Sequence, residues 1–409
     1  MSGIVLSASV RQNLLSLQST AELLSTTQNR LATGNKVNSA LDNPTNFFTA
    51  QGLNNRASDI TNLLDSIGNG VQVLQAANTG LTSLQKLVDT AKSIANQVLQ
   101  TTVGYSTKAN VDVVGTGAGT SAVLTAANLN AGKLASSVIT FKTSTATLAV
   151  TFGGTFATGS GTATVSTLDQ LNQVLASNGI TANASVSSTA DTLTFTSTND
   201  AASQTITTSG TAPTGAGVDI KGTTTATAGS VNAAVADAAS QAIRTNLVAQ
   251  YNGIISQITN TAQDSSFNGI NLLNGDTLKL TFNETGKSTL TIQGVTYNAG
   301  GLGLASLTAG TDFLDNNSAN KILTALGNGS TSLRTEASAL GSNLSIVQIR
   351  QDFSKNLINV LQTGSSGLTL ADTNEEAANS QALSTRQSIA VSALALANQA
   401  QASVLQLLR

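Results

Sequence analysis

The sequence predicts a mainly α protein with a β-rich outer domain. N- and C-terminal helices pair as coiled coils, and a rod-like helical core carries an inserted α+β domain. Three observations carry this reading. Apolar residues recur in heptads at both ends of the 409-residue chain. Those ends hold little charge and one of the two prolines. The middle switches to a Ser/Thr/Gly/Ala composition with short β-prone runs.

Val10, Leu14, Leu17, Ala21, Leu24, Gln28 and Leu31 alternate spacings of four and three, the seam of a coiled-coil helix expected over about 5–32. Gly34 can take φ > 0 and stop that helix. Asp42-Asn43-Pro44 forbids helix before Pro44, which places this proline outside the helices, and Asn43 or Asp42 is positioned to cap the next helix. Residues 32 to 44 therefore read as a spoke between two coiled layers. A longer helix over 45–100 carries Leu53, Ile60, Ile67, Leu74, Leu81 and Val88 at strict sevens, with Leu63, Leu64, Val71, Leu84 and Val98 widening the stripe. A strict seven-residue repeat imposes a left-handed supercoil, so such a helix needs a helical partner.

The segment from 101 to 235 is a separate object with four lysines, no arginine and five acidic residues. Its β-prone runs are Val138 to Phe141, Thr147 to Phe152, Leu193 to Phe195 and Thr205 to Thr208. Between them Ser166-Thr167-Leu168-Asp169 opens a short helix to Gly179, with Leu168, Leu171 and Leu175 on one face and Asp169 at a capping-box position. A disordered Ser/Thr linker is the alternative, but the alternation around Leu193 and Phe195 calls for a buried face. Pro213 lies here, also outside every expected helix.

A helix over 236–263 comes next, bearing Leu247, Tyr251, Ile254 and Ile258. Residues 277 to 297 then read as a hairpin: Leu278, Leu280 and Phe282 alternate, Asn283 to Gly286 turns, and Leu290 and Ile292 return. Over about 318–361, Leu326, Leu333, Leu340, Val347 and Leu361 fall in sevens, flanked by Leu344, Ile346, Phe353, Ile358 and Val360. The last helix, about 372–408, carries Leu383, Leu394, Val404, Leu405, Leu407 and Leu408. Asp372, Glu375 and Glu376 at its start read as a cap that compensates the helix dipole.

Composition narrows function. Nineteen Lys and Arg against 21 Asp and Glu give no basic surface for nucleic acid and no polybasic membrane patch. Only 10% of residues are charged, against about 25% in ordinary soluble domains. Helices whose outer faces are also buried by assembly need few charges, although a glycine-rich surface adhesin would share this trait. Cysteine and histidine are both absent, which removes disulfides, thiolate chemistry and the commonest general base and metal ligand. With acidic residues scattered singly, no enzymatic role, cofactor or metal is expected. The first residues lack the pattern of a secretory signal, and no run approaches the roughly 20 apolar residues that span a bilayer, so membrane insertion is not expected either.

Four segments carry a resemblance. LATGNKVNSALDNPTNFF from Leu31, DSSFNGINLL from Asp264, ADTNEEAANSQ from Ala371 and the terminal LANQAQASVLQLLR occur in the order found in bacterial flagellins, and the first is similar to the Asp-Asn-Pro variant of alpha-proteobacterial members. The resemblance covers residues 1–100 and about 236–409. The stretch from Val165 to Ser197 resembles a small β-α-β repeat of outer domains in flagellins and hook-associated proteins.

The resemblance implies a structural subunit that polymerises into the flagellar filament for swimming motility, with a hook-filament junction protein as the alternative. It implies three regions: 1–44 with 364–409 as an inner-tube domain, 45–100 with 236–363 as the helical core, and 101–235 as the outer surface domain. Val10, Leu14, Leu17, Leu24, Leu31, Leu394, Val404, Leu405 and Leu408 would then form the assembly interface, pairing terminal helices across subunits. Leu53, Ile60, Ile67, Leu74 and Leu81 with Leu333, Leu340 and Val347 would form the core coiled coil. The terminal helices, marginal alone, would order on assembly. Implied partners are further copies of the chain, hook-junction and cap proteins, an export chaperone and the type III export apparatus. The implied location is the extracellular flagellum, reached without a cleaved signal peptide. In the best-known members the variable part comes after the FNG element and a hairpin; here the large insert precedes the 236–263 helix, so it is expected to project from the end of the 45–100 helix.

Leu84 to Asn96, LQKLVDTAKSIAN, is similar to the family stretch LQRVRELAVQSAN that animal flagellin receptors grip. Lys86 keeps a cation and Asp89 an acid, but Val88 replaces the second arginine, Thr90 the central leucine and Lys92 a valine. Loss of an arginine and a leucine anchor costs on the order of 2 kcal/mol each. Weak or absent activation of the Toll-like flagellin receptor is expected in a reporter-cell dose-response; potency equal to an enteric flagellin overturns this.

Overall fold

The computed structural model describes residues 8–115, 125, 129, 137–142, 146–187, 192–204, 206–211, 218–220 and 231–407. Six helices stand among them: α1 (Ala8–Thr33), α2 (Pro44–Gln100), α3 (Leu168–Ser177), α4 (Ala238–Asp264), α5 (Asn316–Thr369) and α6 (Thr373–Leu407). The chain divides into two compact units. The first comprises Met1–Gln72, Lys279–Ile292 and Asn343–Arg409, the second Val73–Leu278 and Gln293–Ser342, so α2 and α5 each contribute to both.

In the first unit α1 packs along α6. Gly34 takes φ 71° and ends α1. Pro44 is the first residue of α2 rather than the residue before it. A proline has no N–H to leave unpaired in the first turn, which makes this position favourable. Asn43 Oδ1 accepts from the Asn46 N–H at 3.0 Å and caps the helix. Asp42 caps the preceding turn instead, accepting from the Ser39 and Asn38 N–H groups at 2.8 and 2.9 Å, and these bonds hold its carboxyl below the usual aspartate range. The expected heptads of α2 and α5 meet antiparallel here: Ala57 and Ile60 pack with Ile358 and Leu361, and Ser365 Oγ donates to the Ala50 carbonyl at 3.2 Å. Ser354 occupies a seventh position of the α5 stripe and is buried.

In the second unit the chain leaves α2 and later returns to α4 at one place. Strand β1 (Tyr105–Thr107) pairs antiparallel with β12 (Val235–Ala236), and the Asp237 N–H donates to the Gly104 carbonyl at 3.0 Å. Asp237 caps α4 through the backbone and side chain of Ser240, and those bonds lower its pKa. Arg244 of α4, 1% exposed, fills the space below. Its guanidinium donates to the carbonyls of Val98, Thr101 and Thr102 at 2.9–3.1 Å, closing the C-terminus of α2, and to that of Phe313. Phe313 takes φ 61°, rare for a bulky side chain, with its ring edge-on to Tyr251. The carbonyls gain charged donors at the point where a long helix has none of its own, and no sequence pattern announced it.

Between β1 and β12 two sheets enclose one core. The first runs β10 (Val218–Ile220), β2 (Asn110–Gly115), β8 (Thr192–Ser197), β7 (Ala182–Ser187), with β11 (Val231–Asn232) also on β2. The second runs β5 (Ala157–Gly159), β6 (Thr162–Val165), β4 (Thr147–Phe152), β3 (Val138–Lys142), β9 (Thr207–Thr211), antiparallel except for β4 with β6. Phe141, Phe152, Leu193 and Phe195 are fully buried with Leu171, Val174 and Leu175 of α3, and Leu168 is half-buried. The Phe141 and Phe195 rings lie 4.5 Å apart. Of the run expected from Thr205 to Thr208, Thr205 lies outside the described residues and Thr207 and Thr208 belong to β9. The capping box of α3 is Thr167 with Gln170, not Asp169, because the reciprocal bond needs the third helical residue. Pro213 lies outside the described residues.

The hairpin β13 (Thr277–Thr281) and β14 (Thr289–Gln293) buries Leu278, Leu280, Phe282 and Ile292, with Leu290 half-buried. On α4 the buried face is Leu247, Val248, Tyr251, Ile255 and Ile258; Ile254 is only half-buried.

Two glycines in helices give opposite expectations. A Cβ on Gly80 of α2 would collide with Ser265 and with Leu273 Cδ1 at 2.7 Å, whereas a Cβ on Gly253 of α4 would meet nothing within 4 Å. Gly80→Ala should therefore destabilise by about 1–3 kcal/mol despite its better helix propensity. Gly253→Ala should stabilise by about 0.5–1 kcal/mol. Chemical denaturation of the two variants beside the parent reads both signs.

Candidate assembly surfaces

The surfaces of the first unit are set by which face of each terminal helix is covered. On α1, Val10, Thr20 and Thr27 are buried and Asn13, Leu17 and Leu24 half-buried, a 3-4 seam that keeps Val10, Leu17 and Leu24 but turns by one residue between them. Ala21 and Gln28 are exposed, and Leu14 and Leu31 remain 37% and 38% exposed. Threonine serves in the seam because its hydroxyl can bond the preceding turn, as Thr20 Oγ1 does to the Ser16 carbonyl at 2.8 Å. On α6 the covered positions are Glu376, Ser380, Leu383, Gln387, Ala390, Leu394 and Ala397, again spaced four and three. Val404 and Leu405 lie within α6, and Leu408 lies outside the described residues.

In this chain the two terminal helices, expected to pair across subunits, pack against each other, α1 along α6. A short ladder joins the segment after α1 to the residues between α5 and α6. Lys36 N–H donates to the Thr369 carbonyl at 2.7 Å, Ala371 N–H donates to the Gly34 carbonyl at 2.9 Å, and Asn35 bridges to Leu370. Beside it Arg30 Nη1 donates to Glu376 Oε1 at 3.3 Å. Asp372 does cap α6, accepting from Asn374 and Glu375 N–H groups, but Glu376 is buried as the partner of Arg30 rather than a solvated dipole charge.

With the seams closed inward, other apolar side chains face solvent. Leu15 and Leu23 on α1, Ile389, Val391 and Leu396 on α6, and Ile346, Ile349, Phe353 and Val360 on α5 are each between 45% and 68% exposed. Of the nineteen exposed large apolar side chains among the described residues, fourteen lie in the first unit, which holds the smaller share of the chain. Ile346, Phe353 and Val360, read from the sequence as flanks of the α5 core stripe, belong to this outer face. The expected core positions are buried at Ile60, Ile67, Leu74, Leu81, Leu333, Leu340 and Val347, and half-buried at Leu53.

The hairpin tip is held by ionic and cation–π contacts. Arg56 Nε lies 2.8 Å from Glu284 Oε1, and the Arg350 guanidinium stands 5.7 Å from the centre of the Phe282 ring. In the receptor-like segment Lys86, Asp89 and Thr90 are exposed, whereas Val88 is fully buried. The Val88 position therefore contributes to packing, out of reach of any surface partner of this fold.

Titratable chemistry is sparse. Burial pushes the Tyr251 phenol up to about 12, and burial with the neighbouring Glu336 carboxylate pushes Tyr297 to about 12, so both are neutral at ordinary pH. Among the described residues no group of three acidic, cysteine or histidine side chains could hold a metal, and no helix is long and apolar enough to cross a membrane.

Residues 5–112 match the bacterial flagellin N-terminal helical region and residues 323–408 the bacterial flagellin C-terminal helical region. Among characterised proteins the chain is 33% identical to flagellin FljM of Caulobacter vibrioides over 168 residues, covering 40% of this chain and 59% of that one. Flagellin FljO of the same organism is 32% identical with the same coverage. Flagellin FljJ is 31% identical over 171 residues, 41% of this chain and 61% of its own length. The chain thus spans about three fifths of the relatives it matches.

The Arg30–Glu376 pair should be worth about 0.5–1 kcal/mol, since the arginine remains 39% exposed. A double-mutant cycle with Arg30→Ala and Glu376→Ala, combined with amide exchange in α1 and α6, should return a coupling of that size.

Proposed function

We propose that this chain, which belongs to the bacterial flagellins, is a structural subunit that polymerises through its first unit into a flagellar filament outside the cell. The observation that carries the proposal is the concentration of unpartnered apolar stripes on α1, α5 and α6. Exposed apolar stripes on a chain with 10% charged residues mark surfaces that other copies cover. Open head-to-tail contacts between such surfaces generate a helical polymer.

In this reading residues 1–44 and 364–409 form the tube-lining part, 45–100 and 236–363 the helical core, and 101–235 the outer surface. Leu14, Leu31, Val404, Leu405 and Leu408 make contacts between copies, while Val10, Leu17, Leu24 and Leu394 act through the α1–α6 seam that presents them. The matched relatives are flagellins, which favours a filament subunit over a hook-filament junction protein. Hook-junction and cap proteins, an export chaperone and the type III export apparatus are the partners such a subunit requires, and no catalytic role is assigned to it.

Leu405→Asp combined with Leu408→Asp should slow or abolish polymerisation, since each buried carboxylate in an apolar contact is costly. Negative-stain microscopy of concentrated protein seeded with filament fragments reads the result. Polymerisation of the double variant at the parental rate overturns the proposal.

A further inference from the structure

The ladder of the inserted domain leaves β7 as the outer strand of its sheet. Thr198 N–H donates to the Thr181 carbonyl at 2.7 Å, one step beyond the Ala182–Ser197 pair, and Ser197 N–H turns the other way to Ala109. Pairs alternate along an antiparallel ladder, so Asn183 and Ser185 bond β8 while Ala182, Ala184 and Val186 aim their N–H and C=O groups outward. At Ala184, the middle of that free edge, both groups are taken by one side chain. Asn172 Oδ1 accepts from the Ala184 N–H at 2.7 Å, and Asn172 Nδ2 donates to the Ala184 carbonyl at 3.2 Å. The carboxamide reproduces the two bonds that an added strand would make there.

Two further observations make this bond pair more than a local convenience. Asn172 sits inside α3 between the buried residues Leu171 and Val174, where asparagine is a poor helix former. The segment from 101 to 235 also has only four lysines and five acidic residues, so the charged side chains that usually blunt a sheet edge are scarce. The other outer strands are shorter, three residues at β5 and β10 and five at β9, whereas β7 has six. Short edges need no guard; longer, uncharged ones do.

We propose that Asn172 is a strand mimic that closes the β7 edge against an extended segment of a second copy of this chain. The inference does not rest on polymerisation through the terminal helices. It is tested in the full chain carrying Leu405→Asp and Leu408→Asp in every sample, so that association through the ends is equal throughout. Asn172→Ala should raise exchange of the Ala184 amide by about tenfold or more and make sedimentation concentration-dependent relative to the parent. Adding Ala184→Pro removes the edge N–H by an independent route and should return the chain to parental sedimentation. If Asn172→Ala melts α3, read as lost protection at Leu171 and Val174, Asn172→Gln replaces it. That side chain is a better helix former, but one methylene too long to straddle Ala184, and the same association reversed by the same proline is expected. A folded variant that sediments like the parent, or association that Ala184→Pro leaves unchanged, overturns the proposal.

Discussion

The rest of the fold depends on covering one heptad stripe on each of two very long helices. Neither α2 nor α5 has the charge to stand alone in water, and the stripe of each supplies the apolar partner the other lacks. Everything else is fitted to that pair. Glycine at position 70 of α2 leaves room for Leu280 of the hairpin, and glycine at 80 leaves room for Ser265 and Leu273 of the loop after α4. A helix of 57 residues gives up intrinsic propensity at such points in exchange for close approach of its neighbours.

Much of this was legible because periodicity is a one-dimensional signal. Ile60, Ile67, Leu74, Leu81 and Val88 could be read as one buried stripe from their spacing alone. The errors fall where burial depends on a bond rather than on hydropathy. Thr20 and Thr27 take seam positions that heptad spacing assigns to Ala21 and Gln28, since a threonine hydroxyl can be satisfied by its own helix. Gln170 rather than Asp169 completes the α3 cap because reach decides it. Arg244, Glu376 and Asn172 are polar residues whose partners lie from 12 to 346 positions away, and no local pattern encodes such a partner.

Long helices with two apolar faces leave one of them uncovered in a single chain. The inward face is covered by folding, and covering it fixes which residues remain outside. Rotation of the α1 seam by one residue between its shared positions decides that Leu14, Leu15 and Leu23 face solvent while Thr20 and Thr27 do not. Intrachain register thus selects which apolar side chains face solvent, and a change that shifts the register would alter the outer face without touching any residue on it.

The inserted domain leaves and rejoins the helices through a single strand pair, with Gly104 and Asp237 hydrogen-bonded to one another and the helix end sealed by Arg244. Chain closure at that point makes the cost of the connection depend only weakly on how many residues are threaded through it, because the entropy of a closed loop grows only with the logarithm of its length. The site is therefore a ready graft point. A foreign folded domain whose own termini lie side by side could replace residues 108 to 234, leaving that strand pair in place, and be carried wherever the helical part goes.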